Sequence, residues 1–241
     1  MSGDEKARWA ERLRRDLAQA TALRAAARND PDLDADRTRL RAWQAARLAR
    51  SHADLLASPR YGAAARFFLD ELYGPKDFSA RDEEVARILP TLIAVLPAAG
   101  IRTLALAVEV DALSEELDAA MAVELRRAGA GANIGDDAYA AAYRRCGRRE
   151  ARELQISLVG ETGEALALLV RKPLVHAALR LMRGPAKLAG LAGLQQFLED
   201  GYRAFRGMGN AEGFLATIRR RETAILQRLF EGAAEPFAGV D

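Results

Sequence analysis

Apolar residues recur at intervals of three and four positions along most of the 241-residue chain. This spacing places them on one face of an α-helix, whereas strict alternation would indicate a strand. The clearest stripe lies within 101–127 and consists of Leu106, Val110, Leu113, Leu117, Met121 and Leu125. Similar patterns predict helices over 4–28, 33–57, 61–73, 79–96, 136–146, 148–170, 185–207 and 211–231. We therefore predict an all-α protein, an irregular multi-helix bundle of about eight to ten helices.

Glycine and proline interrupt the pattern at Gly74-Pro75, between Gly129 and Gly135, and at Gly184-Pro185. Glycine tolerates the left-handed conformation that ends many helices, and proline cannot continue one. The segment 148–170 has apolar runs on both sides of a glycine-containing sequence, so we interpret it as helix, turn and helix, with a β-hairpin as the alternative. We find no repeat or linker, and predict one domain over 1–241 with a loose tail over about 232–241.

The composition agrees with helices, because 51 Ala and 33 Leu far outnumber 9 Val and 7 Ile. Cys146 is the only cysteine, which excludes an intrachain disulfide and a cysteine-rich metal site. The N-terminal sequence is charged, and no stretch reaches about 18 uncharged apolar residues. We therefore expect a cytoplasmic protein without membrane spans.

The charge is unevenly distributed, although the formal net charge is only +2 and argues against nucleic-acid binding. Residues 62–128 carry 7 basic and 12 acidic side chains, a balance of −5, whereas 144–228 carry 16 and 8, a balance of +8. We expect these two segments to pack against each other. The basic, apolar stretch 166–198 has the composition of a membrane-surface helix pair, but its apolar residues are too numerous for one exposed face. We therefore place them in the core and keep membrane association as an alternative that we consider unlikely.

Histidine is limited to His52 and His176. His52 lies near a predicted helix end, where we favour a surface histidine; the alternative is a functional histidine that Asp54 orients or charges. His176 lies on an apolar helix, as an axial haem ligand or as a hydrogen-bonded core residue. The chain contains no Glu-x-x-His, zincin, P-loop or serine-hydrolase signature. We predict no metal and no cofactor, and keep an enzyme or haem-type protein using His52 or His176 as the alternative.

The sequence Phe67-Phe68-Leu69-Asp70-Glu71-Leu72-Tyr73-Gly74 resembles the signature of a bacterial family named for its FFLEELY motif, with Asp70 in place of Glu. The similarity extends to RLARSHADLLASPRY before it and LRLMRGPAKLAGLAGLQQFLEDGY after it. The resemblance implies no activity, ligand or catalytic residue. From the residues themselves, Phe67 and Phe68 are expected to anchor the core. Tyr73 and Asp77 are alternatively the polar edge of a pocket.

These observations favour a non-enzymatic helical protein that binds a small apolar or anionic ligand, or a protein partner that includes a second copy of the chain. A leucine-rich core, a basic C-terminal half and the missing catalytic signatures support this expectation. Six residues can contribute to a ligand site: His52, Tyr73, Asp77, Arg171, His176 and Arg183.

Overall fold

The structure is a computed structural model that describes residues 3–71 and 79–239. The described residues contain eleven α-helices and no strand, which confirms the all-α prediction. The helices are α1 (Gly3–Arg28), α2 (Pro31–Ser51), α3 (Ala53–Ala57), α4 (Gly62–Glu71), α5 (Ser79–Val95), α6 (Ala98–Arg127), α7 (Asp136–Cys146), α8 (Arg149–Leu169), α9 (Pro173–Leu188), α10 (Ala192–Met208) and α11 (Glu212–Glu231).

The 30-residue helix α6 is central to the array and packs against α1, α2, α7 and α8. Its predicted stripe is buried at Leu106, Leu117, Met121 and Leu125, because a different neighbour covers each turn. The longest periodic segment of the sequence is therefore a helix that contacts four others.

Helix α8 is continuous, so the predicted turn within 148–170 is wrong. Its glycines serve helix packing and do not break the helix. A Cβ atom on Gly163 would lie 2.4 Å from Leu215 Cδ2, and one on Gly160 would lie 2.2 Å from Arg219 Nη2. The absence of side chains at these two positions lets α11 approach α8 closely.

The helix break predicted at Gly184-Pro185 lies further along the chain, because α9 continues through Pro185 and ends at Leu188. Gly190, with φ of +70°, occupies the left-handed region that favours glycine. Helix α10 then begins at Ala192, seven residues after the predicted start. This shift separates Leu188 from the stripe of α10 and leaves it exposed.

Buried charge joins the first two helices to α6. Glu115 of α6 forms ion pairs with Arg24 of α1, whose Nε lies 3.1 Å from Oε1, and with Arg37 and Arg41 of α2. Arg24 also donates to Asp111, at 2.6 and 2.7 Å. The acidic segment thus finds most of its partners in α1 and α2, and the expected match with 144–228 is limited to contacts such as Arg148 with Glu116 and Arg145 with Glu124.

A second core cluster confirms the aromatic anchor predicted in α4. Phe67 and Phe68 are buried, and Phe68 contacts Phe205 of α10 and Phe214 of α11 at ring-centroid distances of 5.7 and 5.9 Å. A Cβ atom on Gly201 of α10 would lie 2.9 Å from Phe67 Cζ, so the ring lies directly over the α10 backbone. The two aromatic rings therefore hold α4 between α10 and α11.

The C-terminal tail and helix α9 lie at the periphery of the helical array. The tail that we predicted to be loose contains Phe237, whose ring packs against Trp43 and Tyr139 at centroid distances of 5.7 and 6.1 Å. Helix α9 lies at the surface, and the prediction that the apolar residues of 166–198 lie in the core is wrong for Leu174, Leu181 and Leu188, which are exposed. Within residues 3–71 and 79–239, no helix has both the length and the apolar content that crossing a bilayer requires.

Candidate functional site

A cavity of about 140 Å³ lies between seven of the helices. Its walls come from α2, α3, α4, α6, α7, α8 and α11. One part of the lining is apolar and includes Leu55, Phe68, Val159, Phe214 and Ile218. The remainder is polar and charged and comes mainly from α2, α7, α8 and α11. An enclosed apolar space with a few convergent polar groups is the usual form of a small-molecule site.

Glu222 of α11 is one of two carboxylates that line this cavity, the other being Asp118 of α6. Arg47 Nη1 of α2 donates to both oxygens of Glu222 at 2.7 Å, and His52 Nε2 lies 2.9 Å from Oε1. Burial opposes ionisation, but the positive charge of Arg47 and the hydrogen bond from His52 outweigh it and lower the pKa of Glu222 to about 2. The same carboxylate outweighs the burial of Arg47 and raises the pKa of that guanidinium. Both groups are charged at neutral pH.

The ionised Glu222 determines which ring nitrogen of His52 carries the hydrogen. An ionised carboxylate can only accept, so His52 Nε2 carries a hydrogen and donates it. The other ring nitrogen, Nδ1, is buried and has no hydrogen-bond partner among the described residues. His52 is therefore fixed on one side by Glu222 and leaves one polar atom unused at the cavity wall.

Arg152 of α8 is the unusual residue of the lining. It is only 7% exposed, yet no carboxylate in the part of the chain that the structure describes forms an ion pair with it. Its Nη1 reaches Gln155 Oε1 at 3.4 Å, and its guanidinium carbon lies 4.8 Å from the centre of the Tyr143 ring. The remaining terminal nitrogen, Nη2, is buried without a hydrogen-bond partner. A buried charge without a counter-charge costs free energy, and an anion beside it would remove that cost.

Two tyrosines of α7 line the cavity beside the arginines. Burial raises the pKa of Tyr143, so its hydroxyl stays protonated and able to donate. Tyr139 is held by a stacked contact with Trp43, at a centroid distance of 4.1 Å. Neither hydroxyl has a hydrogen bond to another described residue. Both are available to a bound molecule.

A polar strip between α6 and α8 fixes the wall opposite α11. Gln155 Nε2 donates to Ser114 Oγ at 2.7 Å, and Ser114 donates in turn to the carbonyl of Val110 at 2.7 Å. Gln44 Nε2 donates to Asp118 Oδ1 at 3.1 Å. These bonds use the polar groups of α2 and α6 within the protein, which leaves Arg152 as the exceptional cation of the lining.

Of the six residues proposed from the sequence, His52 lines this cavity. The interpretation of His52 as a surface residue is wrong, because α11 covers it and Glu222 binds it. Tyr73 and Asp77 lie outside the described residues.

The other three candidates lie at the surface, and the structure does not bring them to the cavity. Arg171 is exposed just before α9. The interpretation of His176 as a core residue is wrong, because His176 is exposed and stacks on Tyr202 at a centroid distance of 5.4 Å. Arg183 is exposed and donates to both oxygens of Glu199, at 2.6 and 2.5 Å. These positions form a surface around α9 that is separate from the cavity.

Sequence reasoning missed Arg47, Arg152 and Glu222, although the sequence contained a signal for two of them. Arg152 has Ile156 and Val159 at the fourth and seventh following positions, and Glu222 stands between Ile218 and Ile225 at similar spacing. A charged residue on the apolar stripe of a helix points toward the interior. The pairing of Arg47 with Glu222, 175 positions apart, has no local signal.

Comparison with known proteins gives one match. Residues 23–236 match a family model described as Domain of unknown function (DUF8198). The chain belongs to this family. The matched residues include every helix that lines the cavity, so the cavity belongs to the family domain. No curated protein and no solved structure matches the chain.

The pairing of Glu222 predicts how stability depends on pH. Its pKa is lowered from 4.5 to about 2 on folding, so the stabilisation is complete above the unfolded value and is lost as the pH falls from about 5 to about 2. We expect Glu222→Gln to remove this acid-dependent loss, about 3 kcal/mol of the free energy of unfolding. Urea unfolding followed by circular dichroism across this pH range measures the free energy of unfolding of both proteins.

Glu164→Gln is the matched control, because it removes an exposed carboxylate that pairs with Arg219 and should leave the acid-dependent loss unchanged. Glu222→Gln leaves Arg47 buried without its partner and lowers stability at neutral pH by about 3–5 kcal/mol. Replacing both residues, by Arg47→Met with Glu222→Leu, should restore stability at neutral pH, and the part of the acid-dependent loss that comes from Glu222 should stay absent. If the free energy of unfolding fell with pH equally in wild type and the double variant, the acid-dependent loss could not be assigned to Glu222.

Proposed function

We propose that this protein binds a small molecule with an apolar body and one anionic group in the central cavity. The observation that carries the proposal is Arg152, a buried guanidinium at the cavity wall that has no carboxylate partner among the described residues. A guanidinium suits a carboxylate or phosphate because its planar donors match two oxygens at once.

The surroundings of Arg152 support a ligand whose charge lies at one end. The hydroxyls of Tyr139 and Tyr143 are free to donate, and both residues belong to the same polar part of the lining. Phe68, Phe214 and Val159 line the apolar part. An amphipathic acid would place its carboxylate on Arg152 and its hydrocarbon body among these apolar side chains.

The size of the cavity limits the ligand to a few atoms. Its volume is about 140 Å³. An engineered apolar cavity of about 150 Å³ in another protein binds benzene. The body of the ligand is therefore about six non-hydrogen atoms, as in a short-chain or small branched carboxylic acid.

The cavity favours binding over chemical conversion. A general acid or base works best with a pKa near the working pH, whereas the pKa of Glu222 is lowered to about 2. Arg47 and His52 already occupy that carboxylate, so it is not available to exchange protons with a ligand near neutral pH. We infer that the protein sequesters or senses its ligand.

We also propose that the protein is cytoplasmic. Cys146 is the only cysteine, a composition typical of the reducing cytoplasm. We also propose that the segment 67–74 is the signature that relates this chain to bacterial FFLEELY-motif proteins, since that segment lies inside the matched residues 23–236. Phe67 and Phe68 of this segment are buried, and Phe68 lines the cavity.

Binding of pentanoate tests the proposal. We expect wild type to bind pentanoate with measurable heat and to bind pentan-1-ol at least 10-fold more weakly, because the alcohol has the same chain without the charge. Arg152→Met should weaken pentanoate binding by at least 10-fold and leave pentan-1-ol binding unchanged. Isothermal titration calorimetry of both ligands with both proteins gives the comparison.

Arg149→Met is the matched control, because Arg149 lies on the same helix but is exposed. It should bind pentanoate as wild type does. Equal binding of the acid and the alcohol by wild type, or equal pentanoate binding by wild type and Arg152→Met, would contradict the anionic site.

The stability of the same variants separates a ligand-binding arginine from a structural one. Arg152→Met removes a buried charge without a counter-charge, so we expect the free energy of unfolding of the ligand-free protein to stay within about 1 kcal/mol or to rise. Arg47→Met should lower it by about 3–5 kcal/mol, because Glu222 would lose its partner. Urea unfolding at neutral pH measures both. A loss at Arg152 as large as the loss at Arg47 would assign Arg152 a structural role.

A further inference from the structure

Helix α9 exposes large aliphatic side chains to solvent. Leu174 is 79% exposed, Leu181 is 78% exposed and Leu188 is 92% exposed. The three leucines are seven positions apart, close to two turns of an α-helix, so they lie along one side of α9 and form what we call the leucine strip. Met182, which is 49% exposed, lies beside the strip.

The protein holds α9 from its other side. Ala186 is buried and Leu179 is half-buried, and these residues face α10. Gln195 of α10 donates to the carbonyl of Leu179 at 2.7 Å, and Arg183 is paired with Glu199. The contact with α10 fixes the rotation of α9 so that the leucine strip faces outward.

The charged side chains of α9 itself are all basic. The 34 residues from 165 to 198 contain five basic residues and no acidic one. Arg180 and Lys187 are exposed, and at about 100° per residue they fall on the sector of α9 that adjoins the strip. Arg171 and Lys172 are exposed at the beginning of the helix. An apolar strip bordered by the exposed basic side chains of α9 is complementary to an anionic surface with an apolar interior.

From this arrangement we infer that α9 docks the protein on an anionic lipid bilayer, with the leucine strip at the acyl boundary and the basic side chains among the headgroups. Amphipathic helices with aliphatic residues on one face and Lys or Arg on the other bind membranes in this way. The inference is independent of the proposed ligand, since no residue of α9 lines the cavity.

The same observations disfavour a second copy of the chain as the occupant of this surface. A second copy would bring two basic borders together across the leucine strips, and like charges repel. The number of apolar residues in 166–198 argued against a membrane surface only while all of them were assigned to one helix face. The structure divides them between the strip and the contact with α10.

Vesicle co-sedimentation of the full chain tests the inference. We expect binding to phosphatidylcholine vesicles that contain about 30% phosphatidylserine in low salt, and much weaker binding to pure phosphatidylcholine or in about 0.5 M salt. Arg180→Glu with Lys187→Glu should lower the partition coefficient at least 25-fold, because each lost basic residue weakens binding about 5-fold. Leu181→Gln with Leu188→Gln should lower it at least 10-fold.

Leu154→Gln is the matched control, since Leu154 is 47% exposed on α8 and should leave vesicle binding unchanged. All of these positions are exposed, so circular dichroism should show an unchanged fold in every variant. No sedimentation of wild type with the anionic vesicles would overturn the inference, as would equal binding by the leucine variants. A dimer in analytical ultracentrifugation that the two leucine substitutions abolish would assign the strip to self-association and would also overturn it.

Discussion

The burial of ionised side chains is the constraint on which the arrangement of α2, α6 and α11 depends. Moving a carboxylate out of water costs free energy that only a nearby cation and hydrogen bonds can offset. Glu115 meets that requirement with arginines from α1 and α2, and Glu222 meets it with Arg47 and His52. Each set of bonds joins helices that are distant in sequence, so the charges fix how those helices lie relative to one another. The cavity lies between helices positioned in this way, which makes its polar wall a consequence of the same pairing.

Arg152 is a buried ionised side chain that has no counter-charge among the described residues. The residue is buried as deeply as Arg47, but its charge faces Tyr143 and Gln155 and no carboxylate. An anionic ligand would complete this site as Glu222 completes the site of Arg47. Because such a ligand would bind only the folded chain, occupancy would also stabilise the fold. The leucine strip of α9 lies apart from the cavity, so the proposed acid site and the proposed membrane contact are independent of each other.

The all-α fold class could be predicted from the sequence, because the spacing of apolar residues a few positions apart indicates a helix. The stripe of α6 and the aromatic anchor at Phe67 and Phe68 followed from positions a few residues apart. The interior of α8 was misread because the reason for Gly163 is Leu215, a residue of another helix. The candidate site failed for the same reason: His52 looked like a surface residue until α11 covered it, and nothing near Arg47 indicates Glu222. Leu188 was assigned to the core because its spacing continues into α10, whereas the turn at Gly190 interrupts that continuity.

The central claim is that a small carboxylic acid occupies the cavity with its charge on Arg152. Intermolecular nuclear Overhauser effects between bound pentanoate and a protein with labelled Ile, Leu and Val methyl groups measure this position directly. The account predicts cross-peaks from the pentanoate chain to the cavity residues Leu55, Val159 and Ile218. Cross-peaks confined to exposed leucines such as Leu174 and Leu188, or none at saturating pentanoate, would contradict it.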